Sequence, residues 1–243
     1  MAGIPFLTLW SVLTFVALAG ALVVLARRRR SVRHDVPLHD VEFVAIDLET
    51  TGLDPRRDVI VALAAIPFVG GQAQPDAGYT RIVNPGQPIP AAAQAIHGIG
   101  DADVQDAPSA AAALPEFLLR CRDRVIVAHT AGFDLAIIKR AARAAGLTPV
   151  EGPVLDIGAI AHALFPSWWD LSLEGLGRLL EVAVIRRHTA DGDALTAGTI
   201  FHRMLPLLAQ RGVLTLGEAL RLQRRGALVP DGPGATGGGL AGP

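Results

Sequence analysis

Residues 43–52 read FVAIDLETTG, a β-forming apolar run that carries two acids, Asp47 and Glu49, near its end. Because side chains alternate between the two faces of a strand, these two carboxylates point to the same face. Two carboxylates on a buried strand repel each other and lose solvation, and a bound divalent cation relieves both costs. An exposed strand end needs no cation, so this pair alone leaves both interpretations open.

Two later stretches place further acids near predicted helix starts. VAHTAGFD ends in Asp134, and HTADGDA, which begins at His188, contains Asp191 and Asp193. The helix dipole favours acids at a helix N-terminus, and Thr189 can cap the second helix. Each stretch alone therefore also fits a structural role.

The pattern around these stretches predicts an α/β domain with a mixed central sheet. β-Forming runs predict strands at residues 42–49, 59–69, 79–83 and 125–128. Helical apolar spacing covers residues 91–96, 109–122, 133–145, 157–164, 173–180, 190–208 and 216–224.

Taken together and in order, the acidic stretches resemble the three motifs of DEDDh-type 3′-5′ exonucleases. They are Asp-x-Glu-Thr-Thr-Gly from Asp47, His-x-x-x-Phe-Asp ending at Asp134, and His-x-Ala-x-x-Asp from His188. This DnaQ-like family includes the proofreading epsilon subunit of bacterial DNA polymerase III, RNase T and oligoribonuclease. The resemblance covers residues 41–208 and implies a ribonuclease H-like fold, with a mixed central sheet flanked by helices.

The resemblance implies the chemistry of the site. Asp47, Glu49, Asp134 and Asp193 would bind two divalent ions, Mg²⁺ or Mn²⁺, and His188 would be the general base. Two such ions can hold a phosphate, activate a water and stabilise a leaving oxygen. A histidine whose unperturbed pKa is about 6.5 can accept a proton near neutral pH.

The resemblance also implies a nucleotide pocket. Thr50, Thr51 and Gly52 would line the site of the terminal nucleotide, and Gly52 would allow close backbone approach. His97 resembles a family residue near the 3′ end but fits a structural role equally. Phe133 fits either packing or support of the substrate.

Charge and aromatic residues restrict how nucleic acid can be held. Residues 41–225 contain 17 basic and 20 acidic side chains, so bulk positive charge cannot bind phosphates. Local arginines and bound cations must do so instead. Trp168 and Trp169 fit base stacking, core packing or membrane contact alike.

The ends of the chain predict appendages. Residues 4–26 are uncharged and long enough to cross a bilayer as a helix, and arginines follow them. A signal peptide carries its basic residues before the apolar core, so residues 1–30 are predicted to be a transmembrane anchor with a basic flank. We expect a linker at 31–40, the exonuclease domain at 41–225 and a disordered Gly/Pro-rich tail at 226–243.

The functional expectation is therefore a single-pass protein of the inner (cytoplasmic) membrane with its catalytic domain facing the cytoplasm. Its expected activity is 3′-5′ removal of nucleoside monophosphates from single-stranded DNA or short RNA. One alternative is a polymerase-associated proofreading subunit. The other is a membrane-tethered nucleic-acid binding module without turnover.

Overall fold

The structure, a computed structural model, describes residues 32–226 of the chain. Its strands are β1 (Phe43–Thr50), β2 (Ile60–Val69), β3 (Gln72–Ala73), β4 (Tyr79–Ile82), β5 (Val125–Ala128) and β6 (Val154–Asp156). Its helices are α1 (Ala91–His97), α2 (Asp101–Val104), α3 (Ala110–Cys121), α4 (Ala131–Ala144), α5 (Ile157–Leu164), α6 (Leu173–Leu180), α7 (Ala190–Gln210) and α8 (Leu216–Gly226). Short 3₁₀ turns lie at Leu38–Asp40 and Pro75–Ala77.

The six strands form one mixed sheet in the order β3-β2-β1-β5-β6, with β4 also pairing with β2. β1 and β2 are antiparallel, whereas β1, β5 and β6 are parallel to one another. A parallel pair needs a crossover, and the helical segments between β1 and β5 and between β5 and β6 supply it. This mixed sheet with flanking helices agrees with the predicted ribonuclease H-like architecture.

The alternation of β1 assigns its side chains to two separate cores. Phe43 and Ala45 belong to the core beneath α5, α6, α7 and α8, whereas Val44 and Ile46 belong to the core beneath α3 and α4. Asp47 and Glu49 follow Phe43 and Ala45 at the same two-residue spacing, so all four side chains point to one face of the sheet. The sheet face that carries the two acids is therefore the face on which α7 packs.

A glycine brings α7 close to that face. A Cβ added to Gly198 would lie 2.3 Å from the Phe68 ring and 2.9 Å from the Cβ of Ala45. Real Cβ atoms do not come so close, so helix and sheet meet at a distance that only glycine allows. The N-terminal end of α7 is thereby placed over the C-terminal end of β1.

The prediction of a transmembrane helix is contradicted by the helices of the structure. Among residues 32–226, no helix is long and apolar enough to cross a membrane. The longest, α7, has 21 residues but carries Asp191, Asp193 and Arg203, and it packs on the sheet. Residues 1–30, which carry the predicted anchor, lie outside the described residues. The transmembrane, membrane-contact and inner-membrane predictions are therefore withdrawn.

Part of the segment 31–40, predicted to be a linker, is attached to the domain. The backbone N–H of Leu38 donates to the carbonyl of Leu214 at 2.7 Å, and the carbonyl of His34 accepts from Gly217 at 2.8 Å. The Leu38 side chain is buried in the core beneath α8. Residues 227–243, which make up nearly all of the predicted tail, lie outside the described residues.

Candidate active site

Three of the predicted site acids meet at the end of β1. Asp193 lies in the first turn of α7, where the side chain of Thr189 caps the helix by accepting from the Gly192 N–H. One carboxylate oxygen from each of Asp47, Glu49 and Asp193 lies within 4.8 Å of the other two. Asp193 and Glu49 are buried and Asp47 is partly buried. The structure thus brings together residues separated by more than 140 positions in the sequence.

Asp134 approaches the same site from α4 but lies outside this group of three. Its side chain is buried, and its charge helps to raise the pKa of Asp47. The residue before α4, Thr130, has a left-handed backbone (φ 59°, ψ 42°), an uncommon conformation for a β-branched residue. Asp156 supports this junction because its Oδ2 accepts from the Ala131 N–H at 2.9 Å.

Asp156 therefore has structural hydrogen bonds of its own. Its Oδ1 accepts from the N–H groups of Gly158 and Ala159, at 2.9 and 3.2 Å, and so caps α5. One carboxylate thus fixes the starts of both α4 and α5. This arrangement accounts for an acid at the end of β6 without giving it a catalytic role.

Burial and mutual repulsion make the acids difficult to ionise. The pKa of Asp47 is raised well above its usual value by burial and then by the charges of Asp134, Asp193 and Glu49. The pKa of Glu49 is raised to about 7 by burial and then by Asp193. Burial also raises the pKa of Asp134, with further contributions from Asp156 and Glu49. Cations at this site would relieve both costs.

One carboxylate oxygen is available for such a cation. Oδ1 of Asp193 is buried and has no hydrogen-bond partner among residues 32–226. Buried carboxylate oxygens are ordinarily paired, and hard divalent cations prefer oxygen ligands. The residues present therefore fit Mg²⁺ or Mn²⁺.

The other oxygen of Asp193 is held by residues of the preceding loop. Oδ2 accepts from the guanidinium of Arg187 and, at 3.2 Å, from the backbone N–H of His188. Arg187 also donates to Glu174 on α6 at 2.6 Å. Neither Arg187 nor Glu174 is predicted from the sequence, although the position of Arg187 directly before His188 is an available signal.

His188 lies at the rim of the site in a left-handed backbone conformation (φ 63°). His97, at the end of α1, is buried, and its pKa is lowered by burial and also by the neighbouring His188. Its Nδ1 accepts from the Ile99 N–H at 3.1 Å. The two histidines therefore face the same region from different elements.

The predicted nucleotide-pocket residues form a fixed turn after β1. Thr50 Oγ1 donates to the Gly52 carbonyl at 2.7 Å, and Thr51 Oγ1 donates to Asp58 at 2.9 Å. A Cβ on Gly52 would lie 2.6 Å from Asp58, so glycine is needed here for packing within the turn. Arg140 of α4 donates to the carbonyl of Asp58 and ties the turn to the helix that carries Asp134.

Phe133 is partly buried and packs against the core beneath α3 and α4. It precedes Asp134 in the first turn of α4. Its position suits the predicted packing role, and part of the ring remains accessible beside the site.

Comparison with known proteins assigns the fold and the motifs to a family. The family model described as Exonuclease (RNase_T) matches residues 44–201. A DNA polymerase III subunit epsilon-like protein of Rhodobacter capsulatus is 37% identical over 211 residues, covering 85% of this chain and 30% of that protein. A PolC-type DNA polymerase III of Caldanaerobacter subterraneus is 34% identical over 177 residues, covering 73% of this chain and 12% of that protein. The chain thus spans less than a third of the length of these relatives.

Solved structures show the same fold. Exonuclease X in complex with 5′ overhanging duplex DNA aligns with a TM-score of 0.59 at 23% identity, covering 75% of this chain and 99% of that one. Exonuclease I of E. coli in complex with a dT13 oligonucleotide aligns with a TM-score of 0.62 at 16% identity, covering 71% and 42%.

Proposed function

Because this chain belongs to the DnaQ-like exonuclease family of RNase T, we propose that it hydrolyses phosphodiester bonds at the 3′ ends of single-stranded DNA or short RNA and releases nucleoside monophosphates. The observation that carries this proposal is the meeting of Asp47, Glu49 and Asp193 within 4.8 Å. Such a concentration of buried acid suits the binding of metal and phosphate better than any structural role.

In this proposal Asp47, Glu49, Asp134 and Asp193 hold two Mg²⁺ or Mn²⁺ ions. Bound there, the ions would lower the pKa of the attacking water and stabilise the charge on the leaving oxygen. The free Oδ1 of Asp193 and the raised pKa values of the cluster support this assignment. Asp134, on α4, is the fourth proposed metal ligand beside the two acids of β1 and the one of α7.

His188 is the proposed general base. Its imidazole takes a proton from the water whose oxygen attacks the terminal phosphorus, and the bond from phosphorus to the 3′ oxygen of the preceding nucleotide breaks. The backbone N–H of His188 donates to Asp193, so the main chain that carries the proposed base is held beside one of the acids. The terminal nucleotide leaves with its 5′ phosphate.

The turn after β1 is the proposed site of the terminal nucleotide. Thr50 and Thr51 have their hydroxyls committed to Gly52 and Asp58, so the turn presents a fixed shape. His97 and Phe133 would approach the same nucleotide from α1 and α4. In this arrangement the protein binds the 3′ end through shape and local contacts, which suits a domain whose acidic side chains outnumber its basic ones.

A second candidate is a proofreading role beside a polymerase. It is favoured by the similarity to an epsilon-like protein and to PolC-type polymerases. The chemistry would be the same, but activity would depend on the partner. Co-purification with a polymerase would separate this role from that of a free nuclease.

The test uses the full chain with 5′-labelled and 3′-labelled single-stranded DNA and RNA in Mg²⁺, Mn²⁺ or EDTA. We expect metal-dependent shortening from the 3′ end that is lost in Asp47→Ala. Asp191→Ala is the matched control, because Asp191 lies two positions from Asp193 but pairs with Arg186 at the surface. An absence of turnover on every strand by folded protein would contradict the proposal and favour a binding module.

A further inference from the structure

An exposed tryptophan lies on the loop that joins α5 to α6. Trp169 has 88% of its surface accessible, whereas the neighbouring Trp168 is partly buried and donates from Nε1 to the carbonyl of Asp170 at 2.7 Å. Exposing a whole indole to water is unfavourable, because its apolar surface gains by burial. The exposed ring therefore offers an apolar face that a ligand would bury.

The loop that carries Trp169 is held by its own hydrogen bonds. The Asp170 carboxylate accepts from the Ser172 hydroxyl at 2.6 Å, from the Ser172 N–H at 3.2 Å and from Arg178. Ser172 in turn caps α6 by accepting from Gly175 at 3.0 Å. Hydrogen bonds therefore fix the conformation of the turn that carries the indole.

Two contacts attach the same loop to the candidate active site. Nε2 of His129, at the end of β5, lies 2.8 Å from the carbonyl oxygen of Leu171. Glu174, in the first turn of α6, binds Arg187, which holds Asp193. Trp169 is two residues from the first contact, and two residues span at most about 7 Å. The loop that carries the exposed indole is therefore joined to the residue that follows β5 and, through Glu174 and Arg187, to Asp193.

We infer that Trp169 stacks on a base of the substrate strand next to the active site. This inference rests on the proposed function, since it names a binding contact for the same nucleic acid. A planar aromatic ring suits any base, because every base has a π-face. Stacking also supplies affinity for the strand that does not depend on charge, and residues 41–225 have no excess of basic side chains to bind phosphates.

The test measures binding and turnover separately in the full chain. Trp169→Ala is compared with Trp169→Phe, which keeps a ring, and with Leu214→Ala. Leu214 is 58% exposed and follows the far end of α7, which lies about 25 Å along the helix from Asp193. Binding is measured by fluorescence anisotropy of a labelled dT12 strand in EDTA, and turnover as kcat and KM on the same strand in Mg²⁺.

We expect Trp169→Ala to weaken dT12 binding and to raise KM by about ten-fold, with kcat changed less than two-fold. Trp169→Phe should recover most of the loss, and Leu214→Ala should match the wild type. Because stacking is uncharged, the ratio of Trp169→Ala to wild-type Kd should stay constant between low and high salt.

Equal dT12 binding by Trp169→Ala and wild type would overturn the inference, as would a fall in kcat with unchanged Kd. Failure of the proposed function gives a different result. If the wild type hydrolyses neither dT12 nor the p-nitrophenyl ester of thymidine monophosphate, yet Trp169→Ala still weakens strand binding, the stacking contact stands and the nuclease activity does not.

Discussion

Arg187 donates to Oδ2 of Asp193, whereas the buried Oδ1 of the same carboxylate has no hydrogen-bond partner among residues 32–226. Burial raises the pKa of Asp193 as it does that of Asp47, and the positive charge of Arg187 opposes the rise at both carboxyls. The guanidinium also joins α7 to α6 through Glu174.

Replacing Arg187 by alanine should destabilise the metal-free protein. The change leaves the buried Asp193 carboxylate among like charges, and we expect the free energy of unfolding to fall by about 2 kcal/mol. Saturating Mg²⁺ should restore part of this loss because a bound cation replaces the missing charge. Urea denaturation with EDTA or Mg²⁺ measures both effects.

Arg186→Ala is the control for this experiment. Arg186 pairs with Asp191 at 2.6 Å, but its side chain is 60% exposed, so its loss should cost less than about 1 kcal/mol. Equal destabilisation by the two arginine variants would show that the contact between Arg187 and Asp193 contributes no more to the free energy of unfolding than an exposed ion pair does.

Neutralising Asp47 should stabilise the metal-free protein and abolish its activity. Asp47→Asn keeps the shape of the side chain but removes a charge that burial and three neighbouring acids disfavour. We expect a higher Tm in EDTA, a smaller gain of Tm with Mg²⁺, and exonuclease activity lowered by more than about 100-fold. Glu42→Gln, at the exposed residue directly before the same strand, should change none of these. A lower Tm for Asp47→Asn in EDTA would contradict the repulsion described above.

The stability of the metal-free protein should fall as pH rises through the range in which Glu49 ionises. The pKa of Glu49 is about 7 in the folded protein, above its value of about 4.3 in an unfolded chain. The folded state therefore retains a proton that the unfolded state has lost. The resulting stabilisation is complete below pH 4.3 and disappears as pH rises to and beyond 7.

Glu49→Gln should flatten this dependence, since glutamine does not titrate. Urea midpoints measured in EDTA between pH 5 and pH 8 provide the comparison. Parallel curves for Glu49→Gln and wild type would mean that Glu49 ionises normally in the folded protein.

Gly198→Ala should loosen the contact between α7 and the sheet. Its added Cβ would meet the Phe68 ring at 2.3 Å, and we expect a net loss of about 1–3 kcal/mol despite the better helix propensity of alanine. Gly132→Ala is the matched helical control, because a Cβ there has no described atom within 4 Å. It should leave stability unchanged or raise it by up to about 1 kcal/mol. Thermal denaturation should give Gly198→Ala a lower Tm than Gly132→Ala, and the reverse order would contradict the close contact of α7 with the sheet.

The sequence was sufficient to predict those features that arise from local pattern. The β-forming run at residues 42–49 and the helical spacing at 133–145 and 190–208 predicted β1, α4 and α7 to within two residues at each end. The two-residue strand β3 and the one-turn helix α2 were missed because neither is long enough to show a period. The ion pair of Arg187 with Glu174 was missed because 13 positions separate the two residues and only the packing of α6 on α7 joins them.

The predicted membrane anchor is a prediction that rested on one local stretch alone and was wrong. An uncharged stretch followed by arginines was interpreted from residues 1–30 alone, and the helices of residues 32–226 contain none that could cross a membrane. The site acids differ from this case, because three separated stretches, each inconclusive alone, together matched the ordered motifs of one family. Asp47, Glu49 and Asp193 do share one.

The fate of the terminal nucleotide tests the proposed hydrolytic centre most directly. A single-stranded substrate carries its radioactive phosphate between the last two nucleotides, and the first product is identified by chromatography. We predict release of the label as a nucleoside 5′-monophosphate in Mg²⁺, no release in EDTA, and a rate lowered by more than about 100-fold in Asp134→Asn. Release of labelled oligonucleotides, or an unchanged rate in Asp134→Asn, would contradict the account.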